Sequence, residues 1–274
     1  MKYLYKPIRK GISFLRLNPQ DIQFVLNFLK LNIRDRYLGS ALGSLWAILN
    51  PMIMFALYTF VFGYIFQAKI PGAETSLGYA IWLIAGYGPW LAISEGLLNA
   101  TTSVVAGSGL VKNLVFKTEL LPVAAALTGI VPLFVSLCFL TALLGIDGNP
   151  MSWHIIFVIP AIILQFFFII ALGFFFSAIN VFVRDFSIIL PNLLIMLAFA
   201  TPIFYPETST PPLLQSISVF NPFYIICQTY RQALIFHQIP NILSLIYVGL
   251  ISWILGNLGM RFFRRLKGYF ESML

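Results

Sequence analysis

The sequence predicts an all-α integral membrane protein with six membrane-spanning helices and both termini in the cytoplasm. Three observations carry this. Only 9% of the 274 residues are charged and 59% are hydrophobic, whereas a soluble domain needs roughly 25% charge to cover its surface. Six stretches, 42–67, 77–101, 121–145, 155–182, 187–205 and 241–262, each offer close to the 20 or so mostly apolar residues that a helix needs to cross a bilayer. Finally, the basic residues gather at the ends of these runs. With six crossings, all of the 17 Lys and Arg except Lys69 and Arg231 fall on the cytoplasmic side, as the positive-inside bias demands. The net charge of +8 is therefore read as a membrane-orientation signal and not as a nucleic-acid footprint.

The elements follow in order. Residues 1–41 form a cytoplasmic segment. Its first 20 residues are basic and lack the 7–15-residue apolar core of a cleavable signal peptide. Asn18 can cap a helix and Pro19 suits its first position. Over 20–36, Ile22, Val25, Leu26, Leu29 and Ile33 share one face, with Gln23, Asn27, Lys30 and Arg34 opposite. Such a helix lies in the inner membrane interface or packs against another subunit, and it can do both.

RDRYLGSALGSLWAILNPM, residues 34–52, joins this helix to the first span. Gly39 and Gly43 make a GxxxG pair, which allows a bend and close helix packing while Arg34 and Arg36 hold the inner surface. Along the first span Phe55, Tyr58, Phe62 and Phe66 recur at helical spacing, and Phe166–Phe168 and Phe174–Phe176 crowd the fourth. Rings in such rows face lipid, or they line a path along which sugars slide. Glu95 is the one clear acid within a span. It is a functional group, a partner for Asn99 one turn on, or a residue near the cytoplasmic interface. Without a set of intramembrane acids or histidines, a proton-driven pump is disfavoured.

Between the second and third spans, SVVAGSGLVKNLVFKTELLP predicts a short cytoplasmic helix. Ser108 caps it, and it runs over Gly109, Leu110, Val111, Lys112, Asn113, Leu114, Val115 and Phe116. Amphipathic and tethered at both ends, it reads as a docking element for a partner, with lipid headgroups as the alternative contact. On the outer side, PIFYPETSTPPLL reads as a rigid cap. Residues 213–236 are long enough to cross, but Asn221-Pro222 breaks them and Arg231 sits near their end. They are read as a re-entrant helical hairpin. The membrane domain thus covers 42–262, and 263–274 is a basic cytoplasmic tail.

Little in the chain suits chemistry. Cys138 and Cys227 have no Cys or His at metal-ligand spacing and are read as unpaired packing residues. No metal site, cofactor site or catalytic group is expected. Nothing matches the phosphate-gripping GxxxxGK[ST] pattern, so any ATP is bound by another chain.

Six stretches in order along nearly the whole chain carry a family resemblance. They are RDRYLGSALGSLWAILNPM (34–52), GYGPWLAISEGLLNATTSVV (86–105), GLVKNLVFKTELLP (109–122), NVFVRDFSIILPNLL (180–194), TPIFYP (201–206) and NPFYIICQTYRQALI (221–235). Together they resemble the transmembrane subunit of ABC-2-type polysaccharide exporters, which move O-antigen, capsular polysaccharide or wall teichoic acid. The resemblance implies a homodimeric permease in the bacterial inner membrane, with two copies of an ABC subunit binding ATP and Mg. Residues 109–116 are then similar to a coupling helix and 20–36 to an interface helix. Residues 213–236, with Asn221, Pro222 and Arg231, are similar to outer gate helices. Phe55, Tyr58, Phe62 and Phe66 become candidates for the channel wall. The expected cargo is a lipid-linked polysaccharide. The alternatives are an ABC-2-type exporter of a drug or lipid, and an ATP-independent flippase.

Overall fold

A computed structural model describes residues 18–68, 70, 76–113, 116–149 and 152–274, and the fold is helical throughout its regular elements. Helix α1 (Pro19–Arg36) starts where the sequence places a cap: the Asn18 N–H donates to Asp21 Oδ2 at 2.9 Å and Pro19 takes the first turn. Two tight turns follow, with Gly39 at φ +81° and Gly43 at φ +52°. Helix α2 (Trp46–Tyr58) then runs on through a π-helical stretch, Thr59–Ile65.

Helix α3 (Ser76–Ala106) is the centre of the molecule. It packs against α5 (Leu120–Ala126), α6 (Ile130–Ile146), α7 (Val158–Phe182) and α10 (Pro222–Leu234). Ile81, Leu83, Ile84, Ala92, Ile93 and Leu97 are all buried along it. The remaining elements are α4 (Ser108–Asn113), α8 (Phe186–Ala200), α9 (Pro212–Ser218), α11 (Ile242–Leu266) and α12 (Phe270–Met273).

Among the described residues five helical runs are long and apolar enough to cross a membrane: Gly43–Ile65, Leu77–Ala106, Leu120–Ile146, Trp153–Phe182 and Ile242–Met273. They coincide with five of the six expected stretches. The sixth, expected over 187–205, is shorter. Helix α8 has 15 residues and rises about 22 Å, against a hydrocarbon core of about 30 Å. It stops at Ala200 because Thr201 precedes Pro202, which disfavours helical backbone there. The last expected span, in turn, runs beyond residue 262. The basic tail continues through a 3₁₀ turn into α12, where Phe270 is fully buried beside Phe263 and Phe182.

The expected GxxxG packing is not found among the described residues. Gly39 and Gly43 lie in turns, and a Cβ on either would meet nothing within 4 Å. They supply left-handed backbone, and the elbow is built from that. The apolar face expected on α1 also divides. Asp21 and Val25 turn inward with Phe24 and Phe28 packed beside Leu120 and Ala124, while Ile22 and Leu26 stay exposed. Residues 1–17, Lys69, Leu114, Val115 and the side chain of Asn113 lie outside the described residues.

Candidate functional site

Two regions combine unusual chemistry with accessible surface. The first is an aromatic cleft between α2, α3 and α8. Phe204, in the non-helical segment after α8, is its hub and is buried. Its ring centroid lies 4.6 Å from Tyr58, 5.5 Å from Phe62, 5.2 Å from Tyr87 and 5.0 Å from Phe199. Tyr79 Oη donates to the Phe204 carbonyl at 2.9 Å and fixes the turn. Below this hub, Tyr58, Tyr87, Trp90, Ser94, Leu194 and Phe199 line a cavity of about 190 Å³. Ser94 Oγ is buried there without a hydrogen-bond partner among the described residues. Rings with one polar group in a cleft suit weak, sliding contact with sugar rings.

The predicted aromatic row enters this cleft only in part. Tyr58 and Phe62 are brought together, but Phe55 is a core residue, 2% exposed, with Tyr87 and Phe139 as ring neighbours. Phe66 lies 5.7 Å from Phe62, with tilted rings, yet is 67% exposed. Phe55 and Tyr58 already have different surroundings on regular α2, and the π-helical stretch then adds a residue to the turn ahead of Phe66. Tyr87, Trp90, Phe199 and Phe204 were not singled out from sequence. The motifs that hold three of them, GYGPW and TPIFYP, were.

The hairpin expected over 213–236 is α9 and α10, joined at Asn221. Asn221 Oδ1 accepts from the Phe223 N–H at 3.0 Å, and its Nδ2 donates to Thr201 Oγ1 at 3.0 Å. Pro222 opens α10. Arg231, expected on the outer side near the end of this hairpin, is not a surface charge. It is 1% exposed, inside the bundle. Its Nη2 donates to the Ile203 carbonyl at 2.6 Å, Nη1 to Pro202 at 3.1 Å and Nε to Trp82 at 3.3 Å. A Cβ on Gly86 would overlap its guanidinium. Nearby, Tyr230 Oη donates to Gln165 Oε1 at 2.6 Å, and Gln165 Nε2 donates to the Pro89 carbonyl at 3.1 Å. The hairpin is thus bolted to α3, α7 and the cleft's hub segment.

The second region lies at the other end of α3. Lys117, just after the short helix α4, pairs with Asp21 of α1, and Phe116 lies 5.3 Å from Phe24. At the far end of α1, Arg36 pairs with Glu95 of α3. Asn99, the other partner considered for Glu95, donates instead to Thr128 Oγ1 at 2.7 Å. A polar cavity of about 280 Å³ opens beneath, with Arg36, Glu95, Asn99, Thr102 and Thr128 on its walls. The hydrogen bond from Lys117, helped by the Asn18 N–H, holds the Asp21 carboxyl below the usual carboxylate range. Glu119 accepts from Arg264 at 3.0 Å and Lys267 at 3.2 Å. Burial pushes its carboxyl up, but a backbone N–H and these two cations outweigh burial and hold it low.

Within α4, Gly109 and Lys112 are exposed while Leu110 and Val111 are half-buried, Val111 packing towards the Phe263–Phe270 cluster. Arg34 is exposed and pairs with its neighbour Asp35.

Comparison with known proteins decides the family. The ABC-2 type transporter family model matches residues 23–235, most of the chain. The chain belongs to the ABC-2 type transporter family. Relatives include the O-antigen export system permease protein RfbA of Myxococcus xanthus, 26% identical over 84% of this chain and 87% of the relative. RfbA of Klebsiella pneumoniae is 26% identical over 89% and 92%. The polysialic acid transport protein KpsM of Escherichia coli is 23% identical over 88% and 92%.

As an ABC-2 subunit, the chain is a multi-pass inner-membrane protein and the membrane component of a transporter. The α1–α4 end combines charged and apolar surface, and the cleft at Phe204 is lined by aromatic rings. Both regions rest on α3, so they share one rigid element.

Proposed function

We propose that this chain is the permease of an ATP-driven exporter of a lipid-linked polysaccharide, working as a homodimer with two copies of an ABC ATPase. The observation that carries the reading is the aromatic cleft at Phe204, in a chain whose relatives are named for O-antigen and polysialic acid export. Helix α2 supports the dimer. Only 11% of the Gly43–Ile65 window is buried within the chain, and Ile53, Leu57, Phe60 and Tyr64 stand exposed along it. Helix α8 is equally open, with Ile188, Ile195 and Met196 exposed. A twofold axis beside α2 and α8 would place two aromatic clefts around one path.

In this reading α8 and the segment 201–206 together complete a sixth crossing, and both termini are cytoplasmic. The membrane domain is 42–262, the basic tail is 263–274, and Asn221, Pro222 and Arg231 belong to the outer gate hairpin. Residues 109–116 and α1, with Arg34, Arg36, Gly39 and Gly43 at its exit, face the ATPase. ATP binding closes the ATPase pair, pushes α4 and α1, which Lys117–Asp21 holds to the segment after α4, and moves α3 through Arg36–Glu95. The widened path then admits the glycan. ATP and Mg stay with the partner; this chain supplies path and lever.

The test is deletion of the ATPase partner. Export stops while this chain remains inserted in the membrane; surface polymer at the normal level in that strain overturns the proposal.

A further inference from the structure

We infer that a groove between the α9–α10 hairpin and the start of α11 is a binding subsite for a single neutral sugar ring. Its polar wall is formed by Glu207, Tyr224, Gln228, Gln232, Asn241 and Ser244, and its volume is about 260 Å³. Pockets for drug-sized ligands run from roughly 300 to 1,000 Å³, so this groove suits one ring.

The chemistry of the wall selects the ligand class. Gln228 and Gln232 stand one turn apart on α10, both half-buried, and neither amide has a side-chain partner among the described residues. Half-buried amides with unused donors and acceptors in an otherwise apolar chain carry a desolvation cost that a ligand can recover. Each amide has both an acceptor oxygen and N–H donors, the pair that adjacent ring hydroxyls need. Glu207 adds acceptor capacity: its Oε2 accepts from Tyr224 Oη at 2.6 Å, and its other oxygen takes no hydrogen bond among the described residues. Asn241 Oδ1 is occupied capping α11, through the Leu243 and Ser244 N–H groups. That leaves its Nδ2 and Ser244 Oγ to meet a ligand.

Charge narrows the class further. Among the described residues no Lys, Arg or His lines the groove, and the cation on the same helix, Arg231, turns away to Trp82 and the carbonyls of 202 and 203. A phosphate, sulfate or uronate would find one carboxylate and no cation. A neutral glycoside finds donors and acceptors on three elements. The hairpin that holds the groove also holds the Phe204 segment through Arg231, so a ring bound here sits on the element fastened to the cleft.

The inference deepens the export reading and rests on it for the choice of sugars. The test is saturation-transfer NMR on the full chain with its ATPase in nanodiscs. The probes are methyl glycosides of mannose, galactose, glucose, N-acetylglucosamine and rhamnose, with glycerophosphocholine and glucose 1-phosphate as charged comparators. At least one neutral glycoside receives saturation, at millimolar affinity. Its affinity falls about tenfold in Gln228→Ala/Gln232→Ala, which removes two or more hydrogen bonds. It is lost in Ser244→Trp, which fills the groove. Both variants must elute as the native complex does, and the two report on opposite walls. Silence from every glycoside, a signal unchanged by both variants, or saturation of the charged comparators alone overturns the inference. No transport step enters this measurement, so its failure leaves the exporter reading standing. Conversely, glycoside binding with no ATP-dependent export sinks only that reading.

Discussion

The guanidinium carbon of Arg231 lies 3.6 Å from the centroid of the Trp82 ring, while its Nε donates to the carbonyl of that same residue. No carboxylate pairs with this buried cation among the described residues. Instead, three carbonyls and a ring face share its charge. Two of those carbonyls, Pro202 and Ile203, lie where α8 has ended and backbone acceptors would otherwise go unmet. Arg231 therefore stabilises a non-helical segment buried among the helices, where backbone acceptors need a partner.

Arg231→Met keeps much of the volume and removes the donors. Each carbonyl left without a donor costs about 1–3 kcal/mol, so the melting temperature of the purified protein drops sharply. Arg231→Lys is expected to rescue little, because an ammonium cannot reproduce the planar fork. Full rescue by Lys would show that charge alone matters.

Gly86→Ala tests the same site from α3. Alanine is favoured over glycine in a helix interior by about 1 kcal/mol, so propensity alone predicts stabilisation. The Cβ overlaps the Arg231 guanidinium, and the expected outcome is destabilisation in a thermal melt. A stabilised Gly86→Ala protein would contradict the geometry.

At the elbow, Gly43→Leu places a side chain at φ +52° with nothing within 4 Å to obstruct it. Left-handed backbone costs a non-glycine residue roughly 1–2 kcal/mol, and less for Asn. Gly43→Asn should accordingly be milder than Gly43→Leu or Gly43→Val in thermal melts of the purified chain. Equal losses for all three would point to a steric origin instead.

The Asp21–Lys117 and Glu119–Arg264/Lys267 contacts predict a pH profile with a definite sign. Both carboxyls are held below their ordinary values, about 3.9 for Asp and 4.3 for Glu. Their contribution is therefore complete above those values and is lost as pH falls through the lower folded ones. Thermal stability should be flat from about pH 8 to 5 and fall below about pH 4. Asp21→Asn with Glu119→Gln should flatten that acid limb, and an unchanged limb would assign it to other groups.

Much of this was legible in sequence, for reasons that can be named. Five crossing helices follow from apolar length alone, and Asn18-Pro19 and Asn221-Pro222 announce helix starts by local chemistry. What sequence hid were long-range pairings. Arg231 is 28 residues from Ile203 and 149 from Trp82, so its burial could not be read from the hairpin that holds it. Separation in sequence likewise concealed Arg36–Glu95 and the gathering of Tyr58 and Tyr87 about Phe204. The aromatic row divides in part for a local reason, because periodicity assumes an α-helix and the backbone turns π-helical at Thr59, ahead of Phe62 and Phe66.

The central claim is ATP-driven passage of a lipid-linked glycan through this chain, and inside-out vesicles test it most directly. Vesicles carrying the chain and its ABC ATPase partner are loaded with a radiolabelled lipid-linked glycan, and protection of the label in the lumen is followed. The account predicts lumenal accumulation that requires ATP and disappears when the ATPase is inactive. Equal accumulation without ATP would contradict it.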